Sequence, residues 1–279
     1  MTAANIKTPQ TQTPDLILIK GRQQQTWASG DFHRVAATIT AVGEILCEAV
    51  DVMPGQKVLD VATGSGNTAI AAARRFCDST GVDYVPALLE RARTRAAAEM
   101  LDIRFTDGDA ENIPLPDASF DVVLSTFGTM FAPNQEKAAS ELLRVCKPGG
   151  KIGMANWTPE GFIGELFRVN GRHVPPPAGV KPPTLWGTEE RLRELFGDSI
   201  SSLTVTRRDF VFRYLSADHW IEFWRNYYGP TLKSFAALDA AGQEALAQDM
   251  RELAARYNRS GNETMIVPAQ YLEVVAVKR

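Results

Sequence analysis

The sequence predicts an α/β protein, a doubly wound, mostly parallel sheet with helices on both faces, and three observations predict it. From Gln56 onward short apolar runs alternate with stretches of helical periodicity, the pattern of strands joined by crossover helices. Small or acidic residues (Gly64, Asp83, Asp109 and Ser125) fall at or just beyond the ends of those runs. Ligands in such sheets settle beyond the C-terminal strand ends, where the strand order reverses, so these positions predict one shared site. Finally, 279 residues that are 44% hydrophobic and 23% charged suffice to bury a substantial core.

The elements follow in order. Residues 1–25 are polar apart from Leu16 to Ile19 and read as a flexible arm. Val35, Ile39, Val42, Leu46 and Ala49 recur at helical spacing, with Asp31 as a candidate N-cap. The alternation then predicts strands at 57–62, 79–83, 102–106, 120–126 and 150–157. Helices are expected at 66–77, 86–99 and 134–146, the second opening on Pro86, whose missing N–H costs nothing in a first turn. Beyond Trp157 the regularity breaks. A helix at 161–171 leads into the proline-rich connector VPPPAGVKPP, and a short helix begins near Thr188. The β-rich run SLTVTRRDFVFRY, helices at 216–228 and 239–258 and a strand at 264–277 complete seven strands. The organisation expected is an arm (1–25), a ligand-binding core (26–157) and a C-terminal part (158–279) that completes the sheet and carries a helical insert over the site.

A net charge of −3 gives no basic footprint for nucleic acid. The three cysteines, Cys47, Cys77 and Cys146, form no CxxC or Cys/His cluster, so neither a disulfide framework nor a metal site is expected. The run Leu16 to Ile19 is too short for a signal-peptide core, and no stretch approaches a membrane span. A cytoplasmic protein with a small-molecule partner is expected, with no nucleic acid and no membrane insertion; a homodimer is left open.

The stretch VLDVATGSGNTAIAAA carries the chemistry. An apolar strand enters a turn holding Gly64 and Gly66 and leaves as an alanine-rich helix. Read as Gly64-x-Gly66-x-x-Ala69 with Asp83 downstream, it approximates a dinucleotide fingerprint, in which glycines admit a pyrophosphate to a helix N-terminus. Asp60 argues the other way. A carboxylate at the end of that strand repels a pyrophosphate and suits a ligand that carries an ammonium and no phosphate. That ligand is S-adenosylmethionine, and an NAD(P)-dependent oxidoreductase is the alternative.

Four segments in succession, VLDVATGSGN, TGVDYVPALLERAR, GDAENIPLPDASFDVVLS and LLRVCKPGGKI, resemble the motifs of class I S-adenosylmethionine-dependent methyltransferases. The similarity is greatest to the ubiquinone/menaquinone methyltransferase-like, small-molecule branch, and it is strong over residues 55 to 157. The long C-terminal part departs from a compact quinone methyltransferase. The resemblance implies a Rossmann-like fold, S-adenosylmethionine as cofactor, and methyl transfer to O, C or N of a small hydrophobic or aromatic metabolite; the sequence has no cluster of acids and histidines at ligand spacing, so metal independence is expected. The resemblance also implies site roles. Gly64 and Gly66 let the backbone pass close to the methionine part, Thr63 and Ser65 offer hydroxyls, and Asp60 stands near the ammonium. Asp83 accepts from the ribose hydroxyls and Tyr84 lies against the adenosine. Asp109 accepts from the adenine amine beside the Ala110 N–H. Ser125 contributes backbone groups, and Phe127 lines the route to the methyl group.

The resemblance places a segment covering the cofactor at WASGDFHRVA, so Trp27, Asp31 and His33 are candidates for cover and acceptor contacts, with Trp27 expected to bind the acceptor and His33 a candidate base. In SADHWIEFWRNYYGP, aromatic residues recur at i, i+3, i+4, i+7 and i+8. Trp220 and Phe223 are expected in the core, while Trp224 and Tyr228, with Trp157 and Trp186, are expected to wall an acceptor pocket. A methyltransferase-like binding protein without turnover is the remaining alternative.

Overall fold

The computed structural model of the protein describes residues 14–279. Strands β1 (Lys57–Val61), β2 (Asp78–Asp83), β3 (Ile103–Asp107), β4 (Phe120–Thr126), β5 (Cys146–Trp157), β6 (Ile200–Tyr214) and β7 (Met265–Lys278) form one sheet. Their order is β3-β2-β1-β4-β5-β7-β6. The pairings among β1 to β5 are parallel, and β7 runs antiparallel to both neighbours. The expected seven-stranded, mostly parallel sheet is therefore present. Order reverses between β1 and β4, whose C-terminal ends open the crevice that holds the site.

The central strands are apolar on both faces because helices cover both. Val58, Val122 and Leu124 point to one side, against Leu46, Cys47 and Val50 of α3 (Thr40–Val50) and the alanines of α4 (Asn67–Ala73). Leu59, Val61 and Val123 point to the other, against Ala138, Leu142 and Val145 of α6 (Gln135–Val145). Between them in sequence, α5 (Pro86–Ala98) follows β2 and packs Leu89, Ala92 and Ala96 against Phe105 of β3. After β5 come α7 (Phe162–His173) and α8 (Glu189–Phe196), separated by the proline connector. The insert between β6 and β7 consists of α9 (Ala217–Tyr227), α10 (Gly229–Ala236) and α11 (Ala240–Tyr257). No helix among the described residues is long and apolar enough to cross a membrane.

Several expectations are corrected. Residues 1–13 lie outside the described residues, but Leu16–Trp27, expected within the arm, is a helix, α1, capped by the Asp15 carboxylate on the Leu18 N–H. The helix expected through 31–50 is broken into α2 (Phe32–Ala36), a 3-10 turn at Ala37–Ile39, and α3. Asp31 precedes α2 without capping it through its side chain; its carboxylate lies 3.6 Å from Arg91. The insert has one helix more than expected: Tyr228-Gly229-Pro230 ends α9, and Pro230 starts α10 in a first turn.

Leu46 on α3 is almost fully buried against the sheet. Leu46→Ala is expected to cost about 2–5 kcal/mol. Urea unfolding checks this: the midpoint should fall while the denaturant dependence stays unchanged.

Candidate functional site

At the end of β1 the chain leaves the sheet through Ala62 and Gly64, both at positive φ (55° each), and re-enters a helix at Gly66 (φ 86°), the residue preceding α4. A side chain at Gly66 would press on Ala92 and Phe105, its Cβ 3.1 Å and 3.3 Å from them, so glycine there allows the turn to sit low over β3 and α5. After β4 a second loop passes over the first: a Cβ on Gly128 would lie 2.7 Å from Ala62. Above these loops is a cavity lined by both of them, by Thr63, Gly64 and Ser65 of the first and Phe127 and Gly128 of the second.

Three acids stand along one side. Asp60 is 2% exposed and accepts through Oδ2 from Thr63 Oγ1 (2.6 Å) and the Ala69 N–H (3.1 Å). Burial pushes its carboxyl up to about 7, against the lowering effect of those two hydrogen bonds. Asp83 accepts from the Gly64 N–H (2.8 Å) and the Val85 N–H (2.9 Å), and burial raises it to about 6. Asp109, more open, accepts from the Glu111 N–H (2.9 Å) and from Lys20 Nζ (2.6 Å). Lys20 also bonds Glu111 and is the only basic side chain lining the cavity among the described residues.

Of the eleven residues read as holding the cofactor, Asp60, Thr63, Gly64, Ser65, Asp83, Tyr84, Asp109, Ala110 and Phe127 line this one cavity. Gly66 shapes the turn from below. Ser125 does not line the cavity. It is buried beneath the second loop, donating to the Val61 carbonyl and accepting from Thr129, while Thr126 and Gly128 take the lining positions. His33 lies outside the lining as well, its Nδ1 3.2 Å from Ser65 Oγ. Burial, then the charge of Arg95, lowers its pKa. His33 thus stands beside the glycine turn, one side chain back from the lining.

The expected acceptor wall is largely corrected. Trp27 lines the cavity, but Trp157, Trp186, Trp224 and Tyr228 do not. Trp157 stacks behind Phe127, ring centroids 3.7 Å apart, and so stiffens a lining residue from outside. Trp186 is fully buried against Phe196. Trp224 is core and donates to Tyr214 Oη (2.8 Å), and Tyr228 packs between Trp224 and Trp27. The apolar wall is built instead from Trp27, Phe32, Ile39, Phe127 and Phe131. Phe131 lies just beyond the end of β4, a position that the strand-end rule could have reached, whereas Phe127 was implied by the resemblance. Lys20 and Gln23 carry no comparable signal, because α1 turns its polar side inward.

The Methyltransferase domain family matches residues 59–154. An uncharacterized protein of Mycobacterium tuberculosis is 37% identical over 258 residues, covering 91% of this chain and 93% of its own. A demethylmenaquinone methyltransferase of Deinococcus radiodurans is 41% identical over 129 residues, 45% of this chain and 54% of that enzyme. Among solved structures, the YcgJ protein of Bacillus subtilis superposes with a TM-score of 0.60 at 20% identity, covering 84% of this chain and 97% of that one, a likeness of fold.

The raised carboxyls carry a sign. Folding holds protons on Asp60 and Asp83 that the unfolded chain releases near the ordinary aspartate value of 3.8. Their contribution to stability is thus fully present below that value and is lost as pH rises through about 6 for Asp83 and about 7 for Asp60. Asp60→Asn should therefore gain thermal stability relative to the parent at about pH 8 compared with about pH 5, in ligand-free melts.

Proposed function

The chain belongs to the class I S-adenosylmethionine-dependent methyltransferases, and from that premise we propose how the cavity divides its work. Its acidic side binds the cofactor, and its aromatic side receives a small hydrophobic or aromatic acceptor, methylated at O, C or N. The observation that carries this reading is the pair of buried carboxylates, Asp60 and Asp83, flanking a glycine turn, while Lys20, the only basic side chain lining the cavity among the described residues, is already paired with Asp109. Such a turn repels a pyrophosphate and favours a ligand with positive charge.

The residues fit that ligand. A carboxylate offers about four lone-pair directions. Asp83 spends two on Gly64 and Val85 and keeps the others for the ribose hydroxyls. Asp60 engages Thr63 and Ala69 through Oδ2, which leaves Oδ1 for the ammonium. Tyr84 and Leu88 flank the adenosine, and Asp109 with Ala110 meets the base edge. Bound S-adenosylmethionine supplies an electrophilic methyl carbon on a sulfonium. The chain's part is alignment and exclusion of water. Phe127, held by Trp157, and Phe131 fix the plane in which an aromatic acceptor lies.

The titratable groups lining the cavity, Lys20, Asp60, Asp83, Tyr84 and Asp109, all stand on the cofactor's side. The acceptor's proton therefore leaves to solvent, or the acceptor arrives without it. The demethylmenaquinone methyltransferase relative supports a planar, apolar acceptor class.

Calorimetric titration with S-adenosylmethionine, S-adenosylhomocysteine and NADH tests the assignment. The first two should bind, and Asp83→Ala should weaken them by about 100-fold, the loss of two hydrogen bonds to a charged group. Binding of NADH alone would overturn the reading.

A further inference from the structure

α1 is built the wrong way round for a helix that packs on a core. Ile17 and Leu18 are 86% and 51% exposed, while Lys20, Gln23 and Trp27 line the cavity and the Gln24 side chain donates to the Tyr84 carbonyl. Ile19 is its only buried residue. Hydrophobic burial therefore does little to fix this helix, and segments held mainly by polar contacts open at low free-energy cost.

Its two ends are held differently. At the C-terminal end the Thr26 carbonyl packs against Gly229, where a Cβ would lie 2.0 Å away, and the chain then turns through Gly30 at φ 73°. At the other end, about 10 Å along the axis from Trp27, Lys20 Nζ reaches Asp109 Oδ2 at 2.6 Å and Glu111 Oε2 at 2.5 Å. Glu111 is nearly buried, and its second oxygen accepts from the Asn134 N–H, so it is fixed in place and faces away from the cavity lining. Asp109 lines the cavity.

We infer that Lys20 is a ligand-retaining residue: its ion pair with Glu111 latches α1 across the adenosyl end of the cavity, while Asp109 is shared between Lys20 and the ligand. This rests on reading the cavity as the cofactor site. The Lys20 end of α1 lifts while the Thr26 end stays held against Gly229, and ligand enters and leaves when Lys20 lets go. Because the latch is a charge pair open in part to solvent, salt loosens it.

Two readouts test this. Trypsin cleavage after Arg22 reports opening of α1, and surface plasmon resonance gives the dissociation rate of S-adenosylhomocysteine. Lys20→Met and Glu111→Gln should each raise both rates about 10-fold, as expected for losing a charge-assisted hydrogen bond. Lys20→Arg should restore them, and added salt should speed the parent more than Lys20→Met. Parental rates in both variants, with S-adenosylhomocysteine still bound, overturn the latch and leave the cofactor site standing. Failure of S-adenosylhomocysteine to bind the parent protein overturns both.

Discussion

One carboxylate ties the site together. Asp83 ends β2, yet its oxygens accept from the Gly64 N–H on the turn after β1 and from the Val85 N–H at the start of α5. Two loops, the turn after β1 and the link from β2 into α5, thereby meet at a buried anion. Without it, the glycine turn would have an orphaned N–H facing a dry interior and no reason to keep its shape. The arrangement costs stability, because burial disfavours the charge that makes the bonds strong.

The central sheet was legible because parallel strands covered on both faces must be apolar throughout, and an acid at the end of such a strand has few structural reasons to be there. Asp60, Asp83 and Asp109 could be read for that reason, and the cavity gathers all three. Ser125 misled because a strand-end position says where the backbone goes and not which residue of the following loop faces the ligand. The aromatic stripe of α9 misled because the same spacing serves a core and a pocket wall. Trp224 found its hydrogen-bond partner in Tyr214, inside the core. α1 was invisible to periodicity because periodicity detects apolar faces seeking a core, and the inward face of this helix is polar.

The insert between β6 and β7 serves the site at one remove. None of its residues lines the cavity, yet α9 packs on α2 and α10 packs on α1, the helices that do. A Cβ at Gly30 would sit 2.9 Å from the Tyr227 carbonyl, and one at Gly229 would strike the Thr26 carbonyl. Cover and insert are fitted backbone to backbone, so a change in the insert reaches the cavity through the position of Trp27.

The place of β7 bears on how the chain is made. It lies between β5 and β6 but is synthesised after both, and after the three helices of the insert. Until residues 265–278 leave the ribosome, β5 and the fifteen-residue β6 each present an unpaired edge, the kind of surface that recruits other strands. The insert must therefore fold while its two flanking strands wait for the segment that joins them, and nascent chains stalled before Met265 are the ones most in need of a chaperone.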